Sequence, residues 1–314
     1  QIPGRHKELG AAVAQPQEKQ KVAVGLARGE SVGDSVRRAI DLAGGLGFIQ
    51  PGQTVLIKPN ANSADPYPAT TNPDTLYEVV RLVWERDPRR VLVGERSMYR
   101  IATMDTLRKL GLYDAAGEAR AEIVPFDDLR WLRVHPQGAE HWGPEGFRIP
   151  GLLEEVDHII SLPCLKTHFM AAFSLSLKNA VGIVHPEDRL GVLHRGHHQE
   201  PRFGSLIAEI NLAYKVSLVL LDATKAMVTG GPFQGDVVSP GLVLASRDRV
   251  AIDAAGLALL KLLGTEKAIM DKGIWEQPQI RRAAELGLGV AEAAAIDLRG
   301  YQVPELDKIQ QNLL

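Results

Sequence analysis

Short apolar runs separated by helix-spaced segments restrict this chain more than any other feature. Thr54–Ile57 (TVLI), Val91–Val93 (VLV), His158–Ser161 (HIIS) and Ser217–Leu221 (SLVLL) are aliphatic or β-branched and lack polar–apolar alternation. That pattern marks strands with both faces buried, as in parallel sheets. Lys21–Ala27 (KVAVGLA) and Leu242–Ala245 read as further strands. Helix patterns fall between them. Ser31 can cap a helix running to about Leu42, which Gly44-Gly45 ends. Asn72 can cap a second helix, with Pro73 at its first position and Asp74 complementing its dipole, while Leu76, Val79, Val80 and Val83 recur at helical spacing. Further helices are expected around Leu206–Tyr214 and from about Asp248 to Leu263. This alternation predicts an α/β fold: a mostly parallel sheet flanked by helices in Rossmann-like layers. Residues 126–150, with Trp131, His135, His141 and Trp142 among glycines and prolines, predict an irregular or β-rich excursion. The expected organisation is an N-terminal arm over 1–20, a single α/β domain over 21–303, undivided or in two lobes, and a C-terminal tail over 304–314.

Composition narrows the function classes. Thirty-six basic against 38 acidic residues give a net charge of −2 over 314 residues, which argues against a nucleic-acid binder working through broad phosphate contacts. No apolar run approaches the ~20 residues of a membrane-spanning helix. The single cysteine, Cys164, cannot form an intramolecular disulfide or a four-cysteine cluster. The chain begins at Gln1, and Ala12-Val13-Ala14 has the small-x-small form of a leader cleavage site with no apolar stretch before it.

Parallel sheets bind ligands beyond the carboxyl ends of their strands. Lys58-Pro59-Asn60 and Gly94-Glu95-Arg96 directly follow strands, so both fall at that edge. Lys58 and Asn60, with Thr71 near a helix start, suit a carboxylate or phosphate. Cys164-Leu165-Lys166-Thr167-His168 and Ser174–Asn179 form a second polar cluster. A helix there would set Ser174 and Lys178 on one face. A lysine in such a place is a point charge for an oxyanion or, desolvated, a base or Schiff-base nucleophile. His185, His194, His197 and His198, with Glu187, Asp188 and Glu200 nearby, offer ligands for a divalent metal, in no HExxH spacing. After Asp222, Gly230, Gly231 and Gly235 can bring backbone N–H groups close to an anion, without a GxGxxG or P-loop signature. Ser246 can cap the helix that carries Asp253, a carboxylate among apolar residues that needs either a structural partner or a ligand.

Taken in order, VLIKPN (55–60), ATTNP (69–73), SLPCLKTH (161–168), SLSLKN (174–179), DATKAMVTGGPFQG (222–235), SRDRVAIDA (246–254) and AAELGLG (283–289) resemble the family called domain of unknown function 362. The resemblance covers roughly residues 20–300 and implies an α/β domain without an established reaction. Many relatives look like iron–sulfur proteins with ferredoxin-type cysteines. This chain lacks those cysteines, so no cysteine-ligated cluster is expected, and its LPCLKTH carries Cys164 where lysine is commoner. Other relatives resemble exported proteins, which implies an extracytoplasmic location after removal of a leader, with a cytoplasmic one as the alternative.

Three readings follow. In the first, strand-end loops bind a small anionic molecule and support catalysis by Lys166, His168, Lys178 and Asp222, with Lys58, Asn60, Thr71, Ser174, Asn179, Gly230, Gly231, Gly235 and Asp253 contributing to the ligand site. The second is a non-catalytic protein binding a small anion or a metal. The third is an assembly protein whose arm and excursion dock a partner. A homo-oligomer, or for redox chemistry a separate electron-carrying partner, fits any of them.

Overall fold

The structure is a computed structural model that describes residues 21–196 and 201–314. Its strands are β1 (Val22–Ala27), β2 (Thr54–Pro59), β3 (Arg90–Val93), β4 (Glu122–Ile123), β5 (Trp131–Val134), β6 (Phe147–Pro150), β7 (His158–Leu162), β8 (Cys164–His168), β9 (Ala172–Ser174), β10 (Leu218–Met227), β11 (Val237–Val238), β12 (Leu242–Ser246) and β13 (Ile296–Tyr301). Eleven belong to one sheet, whose main path runs β13-β1-β12-β10-β7-β2-β3-β4. The β13–β1, β10–β7, β7–β2, β2–β3 and β3–β4 pairs are parallel, and β12 lies antiparallel to both its neighbours. The expected mostly parallel α/β sheet is therefore present.

Alternation along the strands divides the core between the two faces. Val55, Ile57, Val91 and Val93 join Val36, Ile40, Leu76, Val79 and Val80, from the helices Val32–Leu42 and Pro73–Trp84, on one face. Leu56 and Leu92 point the other way, into a cluster containing Leu206, Ile207, Ile252, Leu257 and Ile280 from helices Arg202–Ile210, Arg249–Leu263 and Pro278–Glu285. Every residue of β2 is buried, as its uninterrupted apolar pattern requires. Both expected N-caps form: Ser31 accepts from the Asp34 N–H and Asn72 from the Asp74 N–H.

Several local expectations are corrected. Ser246 does not cap the long helix. Asp248 does, accepting from the N–H groups of Val250 and Ala251, because the extended β12 continues through Ser246. The segment after Leu221 is not a loop at once, since β10 runs on to Met227 and pairs with β8. Ser174 is not helical. It ends β9, while the helix spans only Ser176–Asn179, so Ser174 and Lys178 do not share a helix face. Within the C-terminal segment 304–314, Leu306–Leu313 forms a helix that buries Ile309 and Leu313. The excursion over 126–150 is β-rich, with β5 and β6 forming a separate antiparallel pair. Among the described residues, no helix is long and apolar enough to cross a membrane.

Candidate functional site

The β8–β9 hairpin sets the polar centre of the molecule. Its register pairs Lys166 with Ser174 and His168 with Ala172, so Lys166, His168 and Ser174 share one face of the hairpin. Lys178 arrives from the short helix that follows. Lys166, His168, Ser174, Lys178, Asn60 and Asn179 all line one cleft at the carboxyl ends of β2 and β3.

The wall of the cleft is a buried ion pair. Lys58, at the end of β2, is 1% exposed and donates to Glu95 Oε2 (2.9 Å), Asn179 Oδ1 (3.2 Å) and the Pro59 carbonyl (3.1 Å). The three protons of this ammonium are thereby used. Burial pulls its pKa down against the opposing pull of Glu95. Glu95 also accepts from the Ala61 and Arg96 N–H groups. Asn179 donates to Ser161 Oγ at 2.9 Å, tying β7 to the same network. Gly182 passes so close that a Cβ would lie 1.9 Å from Glu95 Oε1 and 2.7 Å from Lys58 Nζ.

The other cations differ. Lys166 is 3% exposed and donates to the Ala69 carbonyl. No carboxylate lies within ion-pair distance of it among the described residues. Lys178 has no hydrogen-bond or ion-pair partner among them. Burial, Lys166 and Arg189 push its pKa down to about 7. Arg189, also buried, donates from each of its three guanidinium nitrogens, to the carbonyls of Val184, Ser97 and Arg96. Burial and the nearby lysines hold His168 well below the ordinary histidine value. Its Nδ1 accepts from the Met170 N–H at 3.1 Å, so the neutral ring carries its proton on Nε2. His168 is thus a hydrogen-bond donor with little basicity, and the more basic free nitrogen of the pair belongs to Lys178.

Other residues singled out by the sequence lie elsewhere. Asp222 does not line the cleft. Its oxygens accept from Tyr67 Oη (2.6 Å), Thr75 Oγ1 (2.5 Å) and the Thr224 N–H (2.8 Å), pinning the loop at Tyr67 and the start of the Pro73–Trp84 helix to β10. Asp253 accepts from the N–H groups of Ser176 (2.7 Å) and Leu177 (2.9 Å), and burial raises its pKa to about 7. It holds the start of the helix that carries Lys178. Thr71 bridges the Asn60 N–H and the Leu162 carbonyl through its hydroxyl. The glycine N–H groups are already taken, that of Gly230 by Glu266 and that of Gly231 by Thr167 Oγ1. Gly235 allows a turn in which a Cβ would meet the Thr229 carbonyl at 1.8 Å. This loop reaches the cleft through Pro232 and Phe233 instead. Burial pushes the Cys164 thiol up to about 12, which leaves no thiolate near neutrality.

The histidines do not assemble as a metal centre among the described residues, where no group of three or more His, Cys, Asp or Glu is placed to hold an ion. His185 accepts from the Glu187 N–H and packs edge-on against Trp131. His194 lines an outer chamber beside the cleft. His197 and His198 lie outside the described residues. Sequence reasoning missed Glu95, Arg96 and Arg189 as site residues. Glu95 and Arg96 carried a signal, since they directly follow β3 at the edge where ligands bind. Arg189 carried none.

Fold and site together define an α/β protein with an electropositive cleft at the carboxyl edge of its sheet. The chain belongs to the family described as "Domain of unknown function (DUF362)", whose sequence profile matches residues 55–258. It is 26% identical over 231 residues to the "Thylakoid-associated protein sll1697" of Synechocystis sp., a match covering 73% of this chain and 70% of that one. Among solved structures it is similar to the lactate racemase apoprotein from Thermoanaerobacterium thermosaccharolyticum (TM-score 0.43, 18% identity, 70% of this chain and 53% of that one). It is also similar to a protein from Thermotoga maritima (TM-score 0.37, 15% identity, 60% of this chain and 49% of that one). The chain thus spans about half the length of each of these two solved structures.

Proposed function

We propose that the cleft binds a small molecule through a carboxylate or phosphate group and that Lys178 exchanges a proton with it. The observation that carries this reading is the convergence of two lysines, Lys166 and Lys178, with no carboxylate in ion-pair range among the described residues. Holding the buried Lys166 ammonium without a counter-charge costs several kcal/mol, the partly exposed Lys178 costs less, and a bound anion offsets both. Asn62 and Ser174 line the same cleft with side chains that have no protein partner among the described residues, so they can complete the anion's hydrogen bonds. The Nε2–H of His168 is a further donor. Lys58 and Glu95 neutralise each other and serve to position Asn179 and the cleft wall. A lysine with a pKa of about 7 is divided between ammonium and amine near neutrality, which suits a group that both holds an anion and accepts a proton from it.

The test is calorimetric titration with inorganic phosphate and with malonate, on wild type, Lys166→Met and Lys178→Met. Each substitution is expected to weaken binding of the anion at least tenfold. Unchanged affinity in both variants, or no binding of either anion by the wild type, overturns the reading.

A further inference from the structure

The cleft does not end at its lysines. A second chamber shares Asn62, His168, Lys178, Val181 and Phe233 with it, and its rim carries exposed side chains. Its walls change character. Met98, Tyr99, Phe169, Met170 and Leu190 form them together with the shared Phe233. Seven large hydrophobic side chains are exposed among the described residues, and three of them, Phe169 (68%), Tyr99 (42%) and Leu190 (41%), rim this one chamber. Single exposed apolar side chains are ordinary, but a cluster around a concave opening marks a binding surface. Phe169 is held in place by stacking on His168, with ring centroids 5.2 Å apart. Its N–H donates to the Gly231 carbonyl, which links the rim to the loop that carries Phe233. The cationic groups of the chamber do not call for a second anion. Each guanidinium nitrogen of Arg189 is held by a backbone carbonyl, and Lys178 is shared with the inner cleft.

Resting on the anion-binding reading above, we propose that the ligand is amphipathic: an anionic head group held at Lys166 and Lys178, with an apolar body of several carbons lying in the outer chamber against Phe169, Leu190 and Phe233. The continuity of a charged inner end with an apolar outer end selects this class over small, fully hydrophilic anions. It also sets the ligand's orientation, with the head inward and the hydrocarbon outward.

A homologous series tests this. Acetate, butyrate, hexanoate and octanoate, with the n-alkyl phosphates of the same lengths, are titrated calorimetrically into the wild type below their aggregation concentrations. Affinity is expected to rise about fourfold for each methylene that enters the chamber and then to level off. In Phe169→Ser/Leu190→Ser the rise per methylene is expected to shrink to less than half. If the short anions bind and lengthening the chain brings no gain, this proposal fails while the anion site stands. If no member binds in either series, the anion-binding reading itself fails. An equal rise per methylene in the wild type and the double variant places the hydrocarbon elsewhere and overturns the proposal. Binding only to anionic vesicles, with none to the free monomers, also overturns it in favour of a membrane surface.

Discussion

Replacing Lys178 by methionine removes an ammonium group while keeping an unbranched side chain of similar length. In the fold, burial and the charges of Lys166 and Arg189 bring this lysine from its ordinary 10.5 to about 7. In the unfolded chain it keeps the ordinary value. Between about 7 and 10.5 the unfolded chain therefore binds a proton that the folded chain does not, and stability rises with pH across that window. Below about 7 both states are protonated and the cost of burying the charge is felt in full. At about 1.4 kcal/mol for each tenfold change in proton affinity, that cost is at most roughly 5 kcal/mol. Lys178 is only partly buried, so water in the cleft reduces it to a few kcal/mol. The methionine variant lacks this dependence. It is expected to be more stable than the wild type by a few kcal/mol at pH 6, with the difference shrinking steadily towards pH 10. Urea unfolding followed by fluorescence of the four tryptophans at four or five pH values measures it directly. A variant that is less stable than the wild type at pH 6, or a difference that does not change with pH, would refute the reasoning.

Three further outcomes are expected. Glu95→Gln breaks a buried ion pair and leaves Lys58 uncompensated, so it should lower unfolding stability by about 3–5 kcal/mol in denaturant titrations. Gly182→Ala places a methyl group against Glu95 Oε1 and Lys58 Nζ, and is expected to cost about 1–3 kcal/mol of stability and to weaken phosphate binding in the same sample. Asp222→Asn disturbs the bonds from Tyr67, Thr75 and Thr224, so a loss of about 1–3 kcal/mol is expected with phosphate affinity unchanged. A large loss of affinity in a variant that remains folded would return Asp222 to the binding site.

The sequence by itself determined the layers and their punctuation. Runs such as VLI (55–57) and VLV (91–93) have no polar residue to present to water, so they had to be strands covered on both faces. Ser31 and Asn72 cap N–H groups within a few residues of themselves, Pro73 presets the first helical φ, and the helix starts they predict form. The sequence also placed Lys58 and Glu95 at the carboxyl edge of the sheet, because each directly follows a strand. What each of those groups does there was decided by contacts across long stretches of chain. Lys58 is spent on Glu95 and Asn179, and Asp222 on Tyr67 and Thr75, partners more than 30 residues away in every case. Lys166 and Lys178 carry no local mark that separates them from Lys58. Only the packed structure shows that their positive charge has no carboxylate in ion-pair range among the described residues. The hairpin of β8 and β9 was equally hidden, because CLKTH sets two apolar residues before three polar ones and shows no strand alternation; its pairing with β9 and β10 makes it a strand. Local chemistry placed the helix starts at Ser31 and Asn72, but not those after Ser174 and Ser246. Which charges are left uncompensated is a property of the whole fold, because it depends on every group that the fold brings within a few ångströms.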